Sequence, residues 1–322
     1  MIGFIFSPNF LISSTTFAIP IIFAGFAALI SNKAGIVNIN IEGSMSVAAV
    51  CGTLVGHFTS SVLLGVLSAV VVGVSMSMFL AFSALRLGTD SFLSGIALNT
   101  LASGLSVYIL YSVLGVKGDS SAAASAVIPS LGIPFLKDIP VVGPLLFDQN
   151  MMFYVAVACA FGLSFLLDRT VLGTRIKATG YNPAAAVSVG IDIKGTKTVA
   201  LVFCGAFSGL GGAFLSMGYL SYFSNGMVAG RGFIGIAAEA MGRGNPWSTA
   251  FFAFLFGAVD YFSVGAQTVL SIPYELLNTL PYLMTIVALV IYALLSKEKQ
   301  ERVQRKALKK EETKNESVAD RM

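Results

Sequence analysis

Charge is scarce in this sequence: Asp, Glu, Lys and Arg make up 11% of its 322 residues, while 56% are hydrophobic. A soluble domain carries roughly 25% charged residues, so a chain this poor in charge cannot cover itself with a water-facing surface, and an ordinary soluble fold is excluded. Histidine is nearly absent. His57 stands alone, and the three cysteines, Cys51, Cys159 and Cys204, each sit inside an apolar run without ligand-like spacing. That argues against a metal site and leaves the cysteines as buried thiols. The many serines have only His57, at the expected outer end of a span, as a base, which gives an intramembrane hydrolase little support. Residues 1–10 contain no basic residue, so the start lacks the n-region of a cleavable signal, and the first span is expected to act as its own insertion signal. A nucleotide loop is missing as well. The stretch "GIDIKGTK" at 190–197 has Thr196 between its second glycine and Lys197, whereas a phosphate loop needs the lysine directly after that glycine. Any ATP chemistry belongs to another subunit, and no cofactor is expected here.

What is present is a series of long apolar runs with neither strict alternation nor a single wet face, which indicates helices rather than a β-barrel. The expected fold is an all-α polytopic membrane protein of about nine spans, near 11–30, 38–56, 61–85, 91–115, 151–168, 198–223, 247–268 and 275–296, with a shorter piece at 230–242. Most of these runs are long enough to cross about 30 Å of hydrocarbon as helices. The net charge of +4 does not point to nucleic acid, because nine of the twenty Lys and Arg residues lie in the tail 297–322 beside six acids. Such mixed charge makes a solvated extension. Lys33, Arg86, the group Arg169, Arg175, Lys177, Lys194 and Lys197, and the tail fall in polar joints that the positive-inside rule assigns to the cytoplasm. Nine crossings then place the C-terminus inside and the N-terminus outside. The membrane domain is residues 1–296, followed by the cytoplasmic tail 297–322.

Two connections are long. The outer one, 117–150, carries Pro129, Pro134, Pro140 and Pro144 and reads as a stiff, partly structured lid. The inner one, 169–197, holds "NPAAAVSVG", a short helix with both ends marked: Asn182 caps it, Pro183 suits its first turn and Gly190 stops it.

Carboxylates in the apolar part are few, and two of them share a pattern. "GIVNINIE" at 35–42 and "GFIGIAAE" at 232–239 agree at Gly, Ile and Glu in one register, each behind a basic residue, Lys33 or Arg231. Only three glutamates precede the tail, so the match reads as an internal repeat with interrupted helices near the centre. Glu42 and Glu239 either line a path or brace the packing through Lys33, Arg231 or Arg243. Asn38, Asn40 and Asn99 are candidates for a substrate path, since an amide bonds hydroxyls and bases without the desolvation cost of a full charge. Small residues at four-residue spacing, Gly205 and Gly209, Ser208 and Gly212, and Ala48, Gly52 and Gly56, are expected to let helices approach closely.

The stretches "GIVNINIEG", "GTRIKATGYNPAAAVSVGI" and "GYLSYFSNGMVAGRGFIGIAAEAMGRGNPW" resemble the permease subunits of bacterial ABC importers that serve branched-chain amino acids, simple sugars and nucleosides, nearest the nucleoside-type members. The likeness runs over residues 33–267. It implies a type II-like importer fold in the bacterial cytoplasmic membrane, with a second homologous permease or a second copy of this chain. Its other implied partners are ABC ATPase subunits inside and a substrate-binding protein outside. It also implies that 169–197 is the cytoplasmic coupling loop, with Gly173, Arg175, Asn182, Pro183, Ala185, Ala186 and Gly190 meeting the ATPase. Relatives often carry an acid where this chain has Tyr181. The implied function is uptake of a small polar solute such as a nucleoside, a simple sugar or a vitamin like riboflavin, with no enzymatic activity in this chain. The alternative from the residues alone is an ion-gradient-driven transporter using Glu42, Glu239 and Asp260.

Overall fold

The computed structural model describes residues 8–132 and 148–269, with isolated positions between 279 and 290. The described residues are mostly helical. The long helices are α1 (Pro8–Lys33), α2 (Ile41–Thr59), α3 (Val62–Ala81), α4 (Ser91–Leu114), α5 (Met151–Arg169), α8 (Ile193–Ala213) and α10 (Pro246–Val269); α6 (Val171–Tyr181), α7 (Pro183–Ser188) and α9 (Arg231–Gly242) are short. Polar residues just ahead of the apolar runs start several of them. Asp90 accepts the Leu93 N–H at 2.9 Å, Asn150 that of Met152 at 3.0 Å and Thr170 that of Gly173 at 3.1 Å. Each cap satisfies an N–H that the helix itself leaves unpaired. α3 and α8 each end in a wider π-helical turn, at Phe82–Arg86 and Phe214–Tyr219.

α1 and α8 form the centre. α1 packs on α8, α9 and α10, and α8 also packs on α2 and α3. Most of α1 and α8 is buried, whereas α3, α4, α5 and α10 turn large apolar side chains outward, among them Leu67, Phe79, Leu101, Phe161 and Phe251. In water that surface would be unstable; in a bilayer it is the wall. Small residues set the closest crossings, as their spacing suggests. Gly205 and Gly209 lie on the backbone of α3 at Gly73 and Ala69, and Gly212 lies on the backbone of α2 at Met45, with no room for a Cβ at any of the three.

Six helices among the described residues are long and apolar enough to cross a membrane, so the expected count of nine is not reached. The piece at 230–242 is α9, whose 12 residues rise only about 18 Å. α2 is helical over 19 residues, but its small and polar side chains keep it outside the six. Apart from isolated positions, segment 275–296 lies outside the described residues.

The two ends of the bundle differ. At one end the turn after Lys33 meets Gly180 and Gly244, Lys197 donates to the Gly35 carbonyl at 3.3 Å, and Arg86 shares a cavity wall with Lys194. This is the basic end. At the other, residues 118–128 form a strap over the end of α8 and the loop after it: Ser120 N–H donates to Phe223 O, Ser125 N–H to Ser221 O and Ile128 N–H to Met217 O. A small antiparallel ribbon, β1 (Ser130–Gly132) with β2 (Asp148–Asn150), continues the strap in register Ser130 to Asn150. Of the four lid prolines, only Pro129 lies among the described residues.

Candidate functional site

The first candidate region is the break between α1 and α2. α1 stops at Lys33, Gly35 turns the chain with φ of 72°, and residues 36–39 run without helical bonds. Buried backbone groups freed by the break must find partners inside the protein, and Asn38 and Asn99 supply several of them. Asn38 accepts the Asn40 N–H at 2.8 Å and donates to Cys204 Sγ at 3.1 Å. Asn40 donates to Ser44 Oγ at 3.1 Å and to Met76 O at 3.3 Å. Asn99 of α4 reaches across, accepting the Gly43 N–H at 2.7 Å and donating to Ile39 O at 2.9 Å. Asn38 and Asn40 are buried and Asn99 is half-buried.

Glu42 sits one residue into α2 and points at α9. Its Oε1 accepts the Gly230 N–H and its Oε2 the Gly232 N–H, both at 2.8 Å. The carboxylate therefore occupies the N-terminus of α9, where unpaired N–H groups and the helix dipole both favour an anion. Glu239, near the other end of α9, is 8% exposed and accepts from Asn32 Nδ2 at 2.6 Å. The two glutamates thus hold opposite ends of one short helix and do not occupy equivalent places in two. Their octapeptides also differ in backbone: 232–239 is helical throughout, while 35–42 becomes helical only at Ile41.

The expected pairing of a glutamate with Arg231 is replaced by another. Arg231 Nη2 bonds Asp260 Oδ2 at 2.8 Å, with side chains only 12% and 18% exposed, and Arg231 Nη1 donates to Met227 O at 3.1 Å. The guanidinium also stands 5.8 Å from the ring centre of Phe17. Lys33 lies with Asn32, Glu239 and Arg243 around a cavity of about 300 Å³ at the basic end.

The second region is the connection 169–197, which folds as two short helices, one more than its capping signals indicate. In α6, Gly173 lies against the backbone of Leu166 and Leu167, and Arg175 is exposed. Asn182 caps α7 by accepting the Ala185 N–H at 3.1 Å, Pro183 is its first residue, and Gly190 has φ of 80°. Ala185 faces out, whereas Ala186 is buried. The outward surface belongs to residues that spacing alone does not single out: Tyr181 at 78% exposure, Val187 at 60% and Val189 at 73%. Three large side chains on and beside the capped helix α7 at the basic end make a knob. Their signal in the sequence is present but weak, large apolar residues beside a polar turn.

Among known proteins, the family described as "Branched-chain amino acid transport system / permease component" matches residues 10–289. The chain is 30% identical over 294 residues to the nucleoside ABC transporter permease protein NupC of Lactococcus lactis, covering 88% of this chain and 90% of that protein. It is 31% identical over 291 residues to the guanosine ABC transporter permease protein NupQ of Bacillus subtilis, covering 86% and 89%. A putative glucose ABC transporter permease of Haloferax volcanii is 28% identical over 313 residues, covering 91% and 94%. With its central helices buried in one bundle and its outer helices apolar toward the surroundings, this chain is a multi-pass membrane protein that belongs to the branched-chain amino acid transport system permease family.

Proposed function

We propose that this chain is the membrane-spanning subunit of an ATP-driven importer for a nucleoside, and that its connection 169–197 is the cytoplasmic coupling loop onto which an ATPase subunit docks. The observation that carries the reading is the knob itself. Val187 stands exposed on the short helix α7, with Tyr181 just before it and Val189 just after it exposed as well, at the end of the bundle where Lys33, Arg86, Lys194 and Lys197 gather. The positive-inside rule assigns that end to the cytoplasm, and the tail 297–322 goes with it. The strap 118–128 then faces outward, where a substrate-binding protein delivers the solute. Tyr181, where relatives often have an acid, is an apolar anchor suited to an ATPase groove of matching shape.

A nucleoside is preferred over a hexose because two relatives of about 30% identity that span most of the chain are named for nucleosides or guanosine. A second permease subunit, of this sequence or a homologous one, completes the path; the outward apolar faces of α3 and α4 are suited to lipid and to that partner. Chemistry on ATP belongs to the ATPase subunit, so this chain is a translocation component and not an enzyme.

The test is uptake of labelled guanosine and labelled glucose in cells carrying the permease, its ATPase and its binding protein. The expected result is guanosine uptake that glucose does not compete away, that stops when ATP is depleted, and that persists when the ion gradient is collapsed. Glucose uptake in its place would replace the substrate, and uptake abolished by collapse of the gradient at normal ATP would replace the energy source.

A further inference from the structure

We propose that the turn 33–42 is the link that carries movement of the 169–197 loop to α9, and that Glu42 is the positioning residue at its far end. The proposal rests on the coupling-loop reading and adds the route inward.

The near end of the link is a contact of backbone with backbone. Gly180, on the last turn of α6, lies so close to the Lys33 carbonyl and the Gly35 amide that a Cβ on it would overlap both. No compliant side chain stands between them. Lys197, the last residue of the loop, donates to the same turn at Gly35 O, 3.3 Å away. Two points of 169–197, Gly180 inside it and Lys197 at its end, therefore grip one turn.

The middle of the link is stiff. Asn38 and Asn99 hold residues 39, 40 and 43 by their backbone at 2.7 to 2.9 Å, so residues that would otherwise flex between two helices keep one shape. Displacement at Gly35 is passed on and not absorbed.

At the far end, Glu42 takes two N–H groups of α9 at once, those of Gly230 and Gly232, both at 2.8 Å. Two parallel bonds from one carboxylate fix direction as well as distance. α9 is built to move as a unit in response. Left-handed residues bracket it, Ala229 at φ of 50° and Gly230 at 79° before it, Arg243 at 55° and Gly244 at 67° after it. Asn32, on the last turn of α1, holds the other end through Glu239 at 2.6 Å. One turn and the helix end preceding it thus control both ends of a 12-residue rod.

The chemistry explains why a glutamate is used. Two donors need two acceptors, and glutamine offers one acceptor and sets its NH₂ against an N–H. The experiment uses the complete transporter in proteoliposomes, with its ATPase and binding protein, and reads three quantities: ATPase co-purification, solute carried per ATP, and hydrogen exchange of the peptide 228–233 with and without ATP plus vanadate. In the native protein, trapping is expected to change exchange at 228–233. In Gly180→Ala and Glu42→Gln the ATPase is expected to co-purify and hydrolyse ATP as before, while solute per ATP falls about tenfold and the nucleotide-dependent change in exchange disappears. Glu42→Asp, which keeps both acceptors, is expected to recover part of it. A role in stability alone would lower abundance without erasing the nucleotide response. Native exchange at 228–233 that ignores nucleotide, or Glu42→Gln with native solute per ATP, overturns the proposal. If Glu42→Gln does not reach the membrane, the native exchange and Gly180→Ala decide. Failure of the coupling-loop reading is separable, because it would appear as normal ATPase co-purification and uptake in a Val187→Asp/Val189→Asp variant.

Discussion

The octapeptides 35–42 and 232–239 share their glycine, isoleucine and glutamate positions, yet one is a broken turn entering a helix and the other is helix throughout. The residues between the shared ones decide this. The first copy has Asn38, whose side chain bonds nearby backbone and competes with the helical ladder, and Asn40, whose amide bonds Ser44 Oγ and Met76 O. The second has Ala237 and Ala238, the best helix formers available. The glutamates follow their backbones: Glu42, at the entry of its helix, bonds the backbone of another segment, whereas Glu239, near the end of its helix, bonds a side-chain amide. The same three residues in the same register therefore serve two jobs. The basic residues just upstream diverge too. Arg231 is half-buried and paired with Asp260, and Lys33 stands at a cavity rim on the basic end.

The largest expected effect breaks the comparison at those basic residues. Asp260→Ala leaves the mostly buried Arg231 without its carboxylate partner, which costs about 3 kcal/mol, whereas Lys33→Ala is expected to cost under about 1 kcal/mol. Thermal unfolding of the two variants in detergent checks the contrast, and equal losses would mean the two positions are alike after all. Next come the glutamates. Glu42→Gln loses one of two charge-assisted bonds and leaves an N–H facing an NH₂, for about 2–3 kcal/mol. Glu239→Gln keeps an acceptor for Asn32 and is expected to cost about 1 kcal/mol. Chemical denaturation of the pair ranks them, and a reversed order would contradict these two roles.

Asn99→Leu sharpens the picture of the broken copy. It leaves Gly43 N–H and Ile39 C=O unpaired, a loss of about 2 kcal/mol, and membrane abundance and uptake are expected to fall together. Uptake falling alone would assign Asn99 to the substrate path. The smallest effect lies at a carboxylate outside both copies. Asp119 is exposed, and hydrogen bonds from the Ser121 side chain and amide hold its carboxyl below the usual range. Its contribution is present above the unfolded value near about 4 and is lost as pH falls through the lower folded value. Acid titration is expected to loosen the strap 118–128 slightly and leave the bundle intact, as read by proteolysis of that segment. In Asp119→Ala this pH dependence is absent.

Much of the architecture was legible because membrane helices are dictated by composition: apolar runs, small-residue strips and the caps of α7 all follow from local sequence. The span count is not confirmed, because α9, a shorter piece in the sequence too, has only 12 residues and α2 carries small and polar side chains that leave it outside the six apolar helices. The candidate site was legible in its ingredients and not in its pairings. Glu42, Glu239, Arg231 and the asparagines stand out in an apolar chain, but Arg231 to Asp260 and Glu42 to Gly230 join residues 29 and 188 apart, and local pattern says nothing about such distances. The knob residues Val187 and Val189 escaped for the opposite reason, and Tyr181 stands out only through the family resemblance. Apolar side chains are ordinary in this sequence, and only their exposure at the basic end gives them meaning.

The claim on which the rest depends is that α7 meets an ATPase. Val187→Cys, in the complete transporter, can be joined by a short thiol-reactive linker to cysteines placed along the groove of the ATPase subunit. A cross-link is expected at one or two groove positions, weakened or shifted by ATP plus vanadate and abolished by Val189→Asp together with uptake. Uptake at the native rate with no cross-link at any groove position would contradict that contact.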